Sequence, residues 1–118
     1  MPSDPRVIPL ALDALRARTD FVPFRPGVEA AWLYGRDTDG PAAALLRYAP
    51  GTSIPAHRHE AYEHILVLEG AQEDDRGRYP AGTLVVNSPG SQHRVSSPEG
   101  CLVLVIWEKR VTFLEPLD

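Results

Sequence analysis

The chain has 118 residues, 43% of them apolar and 24% charged, and 12 basic against 16 acidic side chains leave a formal charge of −4. That length suits one domain over residues 1–118 burying about 60–70% of its unfolded surface, and the acidic balance argues against a nucleic-acid or anionic-lipid footprint. The longest uninterrupted apolar run, Cys101 to Trp107, is far too short to cross a bilayer, and the lone Cys101 excludes an intrachain disulfide.

The opening stretch MPSDPRVIPLALDALR breaks its apolar run with charges, unlike a signal peptide, so a cytoplasmic protein is expected. Residues 1–20 read as an N-terminal arm, with one short helix over Pro9–Ala17 as its regular part and a strand or irregular arm as the alternative. From Asp20 onward the 9 glycines and 12 prolines cut the chain into short runs. Strands are expected at Phe21–Phe24, Val28–Tyr34, Ala42–Ala49, Tyr62–Glu69, Thr83–Val86, His93–Ser96 and Cys101–Trp107, with a last one near Val111–Leu114. Turns fall at 25–27, at Asp37–Pro41, at Pro50-Gly51, at Asp75–Gly77, at 80–82 and at Pro89-Gly90. The alanines at 42–44 lie between Gly40-Pro41 and Pro50-Gly51, too short a span for a helix. So many short strands with regular turns indicate an all-β sandwich or small barrel, its core at 28–107.

His57 and His59 are two apart. In extended backbone they share a face, with Cα atoms roughly 6.6 Å apart, and both imidazoles can reach one point. Glu63 has the same parity and starts the run EHILVLEG, where a carboxylate is costly to bury uncompensated. His93 follows a turn that can bring a fourth ligand from a neighbouring strand. Three imidazoles and a carboxylate suit borderline divalent ions such as Zn, Fe, Mn, Ni or Cu. The alternative is a solvated His-Arg-His loop, a surface acid and an incidental histidine. That all four histidines fall between 57 and 93 favours the metal.

The spacing carries a resemblance. Gly51 is followed by five residues, His57, one residue, His59, three residues, Glu63, six residues and Gly70, which resembles the first motif of the cupin superfamily throughout. Gly82, Gly90 and His93 match the second motif, with Ser88 where that motif has Pro and Ser97 where it has Asn. From Pro50 to Leu104 the pieces APGTSIPAHRH, ILVLEG, DDRGRYPAGT, VNSPGSQH and SPEGC resemble the metal-binding cupin domain of anti-sigma factors of the extracytoplasmic-function type, and RPGVEAAWLYG extends the likeness toward the N-terminus. The resemblance implies a double-stranded β-helix, or jelly-roll, barrel. It implies His57, His59, Glu63 and His93 as ligands of one divalent ion, zinc first, with Fe, Mn or Ni as alternatives. It also implies a homodimer. Those anti-sigma factors carry a further helical domain with its own zinc ligands; no His-x-x-x-Cys-x-x-Cys cluster occurs here, so direct anti-sigma activity is not expected of this polypeptide.

Other residues read more plainly. His64 has the opposite parity to Glu63 and is expected to face away from the metal, as a structural or subunit-contact residue. Glu69, placed at a turn opening on Gly70, and the acids Asp74 and Asp75 read as hairpin surface, and Arg58 as a solvated charge. Tyr48, Tyr62 and Trp107 are candidates to line a cavity or to fill core. Cys101 reads as a buried, inert thiol. Phe21 and Phe24 are expected to cover an exposed sheet edge or face.

Two functions follow. One is a metal-binding cupin that senses or regulates, through a small molecule in the barrel or a protein partner. The other is a non-haem Fe(II) dioxygenase acting on a diketone or thiol compound. A sugar isomerase would need an acid–base pair that the residues do not supply once the four ligands are spent.

Overall fold

A computed structural model describes residues 4–115; the first three residues of the expected arm and the last three of the chain lie outside the described residues. The helical alternative holds for the arm, but α1 spans only Leu12–Arg16. Pro9 therefore precedes the helix, and no side chain caps its N-terminus at Ala11. What fixes so short a helix is tertiary burial rather than propensity. Leu15, 1% exposed, packs with Leu12 and Phe21 on Ala31, Leu45 and Leu102, a burial worth about 2–3 kcal/mol.

Ten antiparallel strands follow. In one sheet β1 (Val22–Arg25), β2 (Val28–Tyr34), β3 (Ala42–Tyr48), β9 (Cys101–Trp107) and the first half of β5 (Glu63–Asp74) pair in that order, with β7 (Leu84–Asn87) beyond β5. In the other, β10 (Thr112–Phe113), β4 (Thr52–Arg58) and β8 (Gln92–Ser97) pair in order, and the second half of β5 joins them beside β6 (Gly77–Pro80). The result is the curled antiparallel jelly roll. Its core lies between the sheets, built on Val28, Leu46, Ile65, Val67, Val103 and Val105.

Packing explains the alanines of β3. Ala44 stands opposite Trp32 and Ala42 opposite Trp107 in register. These small side chains leave room for the two indoles, whose centroids lie 5.9 Å apart. The two phenylalanines expected to cover a sheet divide: Phe21 does cover the outer face of the first sheet with α1, whereas Phe24, in β1, sits inside, edge-on to Trp32 at 5.4 Å.

Three expectations are corrected. β4 was not foreseen, because Pro55 lacks the N–H of a ladder residue. The chain accommodates it at a bulge between Ile54 and His57, where β4 carries one residue more than β8. β6 was likewise not foreseen; it is the return strand of the Asp75–Arg76 turn. Gly70 does not open a turn: β5 runs through it for 12 residues, with a second bulge between Val67 and Glu69. Gly70 adopts φ +73°, and a Cβ there would fall on the Gly100 carbonyl oxygen. Among the described residues, no helix is long and apolar enough to cross a membrane.

Candidate metal centre

The bulge at Pro55–Ala56 aims the first histidine. In an unbroken strand Ile54 and His57 would point to opposite faces; the extra residue turns both inward, and both are buried. His57 then lies opposite His93 of β8 in register. His59, just past the end of β4, is tied down by its backbone: its N–H donates to Ser91 O at 2.9 Å and its carbonyl accepts from Gly90 N–H at 2.7 Å. Ring centroids of the three histidines lie 4.6–5.2 Å apart, and one nitrogen from each falls within 4.8 Å of the other two.

The hydrogen bonds choose which nitrogen faces the centre. Nδ1 of His57 lies 2.9 Å from Pro55 O, Nδ1 of His59 lies 3.0 Å from Ser91 O and 2.9 Å from Ser91 Oγ, and Nδ1 of His93 lies 3.1 Å from Asp74 Oδ2. Carbonyl and carboxylate oxygens only accept, so each Nδ1 carries the proton and each Nε2 keeps its lone pair. Nε2 of His59 and of His93 are buried with no hydrogen-bond partner. Buried polar atoms left in this way are uncommon in proteins. Here they converge, in an arrangement capable of coordinating a divalent ion.

Glu63 comes beside them, though not by parity, because a loop at Glu60–Tyr62 separates β4 from β5. It is 5% exposed. Its Oε1 lies 3.3 Å from His59 Nε2, without hydrogen-bond alignment, and accepts from Asn87 Nδ2 at 3.0 Å. Asn87 faces Glu63 across the β5–β7 ladder.

Electrostatics suit the same occupant. Burial drives the His57 imidazole down to about 4, with the nearby charge of His93 adding to the effect. Burial also lowers His93, against the upward pull of Asp74. Both rings are neutral near pH 7, the state in which imidazole donates a lone pair. Burial pushes the Glu63 carboxyl up, and positive charge at the histidine centre, nearest at His59, is what pulls it down. A buried carboxylate among neutral rings needs a cation.

Asp74 corrects the reading of the acidic hairpin as surface. Its side chain is 3% exposed, and beyond His93 it accepts from Tyr79 Oη at 2.7 Å and Arg76 N–H at 2.8 Å through Oδ1. It holds His93 as carboxylates commonly hold metal-ligating histidines. Parity along β5 hides it: Glu63 and Asp74 are eleven residues apart, an odd number that places them on opposite faces of a regular strand, and the bulge after Val67 reverses that. Ser91 and Asn87 also escaped the sequence reading, although both lie within the stretch VNSPGSQH.

The remaining expectations divide. His64 faces away from the centre and stacks on Tyr62, with centroids 6.4 Å apart. Tyr62 is thus at the surface, 44% exposed, and does not line a cavity. Tyr48 and Trp107 do line one, a space of about 70 Å³ beside His57, Glu63 and His93 whose wall also holds Ile65, Val95 and Phe113. Arg58 pairs with Glu60 at 2.8 Å. Cys101 is buried and burial raises its thiol, so it is inert. Ser97, at the second-motif position expected to hold Asn, is fully buried and donates to Ala71 O at 2.7 Å.

Similarity to known proteins agrees with this geometry. The anti-sigma-E factor ChrR of Cereibacter sphaeroides is 31% identical over 117 residues, covering 94% of this chain and 54% of that protein. The crystal structure of Rhodobacter sphaeroides SigE in complex with the anti-sigma ChrR matches with a TM-score of 0.64 and 28% identity, over 80% of this chain and 49% of that one. An acetylacetone dioxygenase from Acinetobacter johnsonii matches with a TM-score of 0.76 over 98% of this chain and 81% of its own, at 15% identity, a likeness of fold alone. The chain spans about half the length, or less, of the curated relatives it matches. The family model described as the ChrR cupin-like domain matches residues 14–109, and the chain belongs to that family.

Proposed function

We propose that this cupin holds one divalent ion on His57, His59, His93 and Glu63, zinc first, and that it works as a sensing or regulatory module. The observation that carries the reading is the set of three imidazoles, each with Nδ1 tied to an acceptor and Nε2 left to the centre. A bound ion would supply Lewis acidity and open positions for a small ligand. The chain's own part is to hold the rings neutral, to orient His93 through Asp74 and to hold Glu63 through Asn87. Beyond the four proposed ligands and the arginines Arg25 and Arg110, the one titratable cavity residue among those described is Tyr48, whose phenol burial raises, and this favours binding over turnover. Similarity to the ChrR–SigE complex supports a protein partner, and the cupin resemblance a homodimer.

The test is elemental mass spectrometry on untagged protein purified anaerobically, beside a His57→Ala, His59→Ala variant. About one zinc per chain, lost in the variant, is the expected result. Metal-free wild type, with none taken up on addition of zinc, iron, manganese or nickel, would overturn the reading. The second reading is an Fe(II) dioxygenase for a diketone or thiol compound. Its support is the apolar cavity that reaches the histidines. Stoichiometric iron together with oxygen consumption on such a compound would establish it in place of the first.

A further inference from the structure

The cavity beside the histidines is lined mainly by apolar side chains; its polar groups are His57, Glu63 and His93 at the centre, Tyr48, and two cations on the wall, Arg25 and Arg110. Arg25 lies between two rings, its Cζ 4.8 Å from the centroid of Phe24 and 4.7 Å from that of Phe113. Arg110 lies over Trp32 at 4.7 Å and Trp107 at 5.1 Å. Aromatic faces hold a guanidinium flat and strip part of its water. Both side chains are half-buried, and each feels that burial, Arg110 with the charge of Arg25 added to it.

Neither arginine meets a carboxylate among the described residues. Among the described residues Arg25 makes no side-chain hydrogen bond. Arg110 donates to the carbonyls of Gly35 at 3.2 Å and Arg36 at 2.9 Å, and its Nε is buried with no partner. Asp37 and Asp39 act on Arg110 only through their fields, and Asp39 is shared with Lys109 at 3.8 Å. Two like charges drawn out of water on one cavity wall call for an anion. Phe113, which carries Arg25 on its face, has its centroid 5.7 Å from that of His57, so the cationic end is one ring away from the histidines.

We propose that the cavity binds a small organic anion, a carboxylate with an apolar body, its charged end between Arg25 and Arg110 and its body along Ile65, Val105 and Trp107. An inorganic anion would leave the apolar wall without a partner, and a neutral molecule would leave both guanidinium charges uncompensated. The inference extends the sensing function proposed above by naming the class of ligand sensed, and its test lets the two fail separately.

Isovalerate and benzoate serve as probes against their amides, isovaleramide and benzamide. Binding is read by calorimetry and by fluorescence of Trp32 and Trp107, which lie under Arg110. At least one acid should bind saturably, and its amide about tenfold or more weaker. Arg25→Met keeps the stacking and removes the charge; it should lose about tenfold in acid affinity with bound metal unchanged, whereas Arg25→Lys keeps most of the binding. Should Arg25→Met fail to fold, the acid–amide comparison on wild type decides alone. Equal affinity for acid and amide, an Arg25→Met variant that binds like wild type, or binding of neither acid overturns the proposal. Carboxylate binding in a protein that takes up no metal upholds the arginine site while the metal reading fails. One zinc per chain without carboxylate binding does the reverse.

Discussion

Asp74→Asn isolates the carboxylate that orients His93. The substitution is isosteric, so packing is kept and only the hydrogen-bond polarity of one atom changes. Oδ1 of Asp74 receives two donors, Tyr79 Oη and Arg76 N–H, and an asparagine must keep its oxygen there to accept them. Its NH2 then replaces Oδ2, 3.1 Å from His93 Nδ1. An amide N–H opposite Nδ1 forces that nitrogen to accept, which moves the ring proton to Nε2 and blocks the lone pair meant for the ion. Loss of such an orienting group costs 10–100-fold in metal affinity, or about 1.4–2.8 kcal/mol. Competition with a chromophoric zinc chelator measures it, with circular dichroism to confirm the fold. Tyr79→Phe removes only one donor to Asp74 and should cost less. An Asp74→Asn affinity within about twofold of wild type would refute the argument, because the tautomer of His93 would then not depend on Asp74.

Metal-free protein should lose stability as pH falls from about 6.5 to about 4. The folded His57 titrates near 4, below its unfolded value of about 6.5, so the unfolded chain binds more protons across that window; the loss is at most about 3.4 kcal/mol. Urea midpoints across the window check this, and a flat profile would contradict it. Gly70→Ala places a side chain on the Gly100 carbonyl at a positive φ and should destabilise by roughly 3 kcal/mol in chemical denaturation; near-native stability would mean that β5 does not pass Gly100 so closely. On the outer face of the first sheet, Leu84, Val86 and Ile106 are 57%, 49% and 38% exposed, beside Tyr62 and His64. If that face joins two copies, Ile106→Glu should turn a dimer into a monomer in light scattering, and a wild type that is itself monomeric would dispose of the homodimer.

The strands and the histidine cluster were legible because they obey local rules. Turn residues bound nearly every strand, and motif spacing alone marked His57, His59, Glu63 and His93. What stayed hidden depends on contacts across the barrel. Pro55 reads as a strand breaker until β8 supplies a partner that tolerates a bulge. Asp74 reads as a hairpin acid until the bulge after Val67 turns it inward. Arg25 and Arg110 lie 85 residues apart in a chain with many arginines; only the closed barrel places both on one cavity wall.

The bulges in β4 and β5 have a consequence for how this domain can vary. Each adds a single residue, at Pro55–Ala56 in β4 and between Val67 and Glu69 in β5, and each reverses the alternation of everything beyond it. The centre is therefore encoded in residue count as much as in residue type. A substitution at Ala56 or Leu68 leaves the count intact. Deleting either would swing His57 outward from Ile54, or part Asp74 from His93, with every ligand still present in the sequence. Insertions and deletions of one residue in β4 and β5 would silence the site where many point changes would not, and a comparison of chains by motif letters alone would miss the difference.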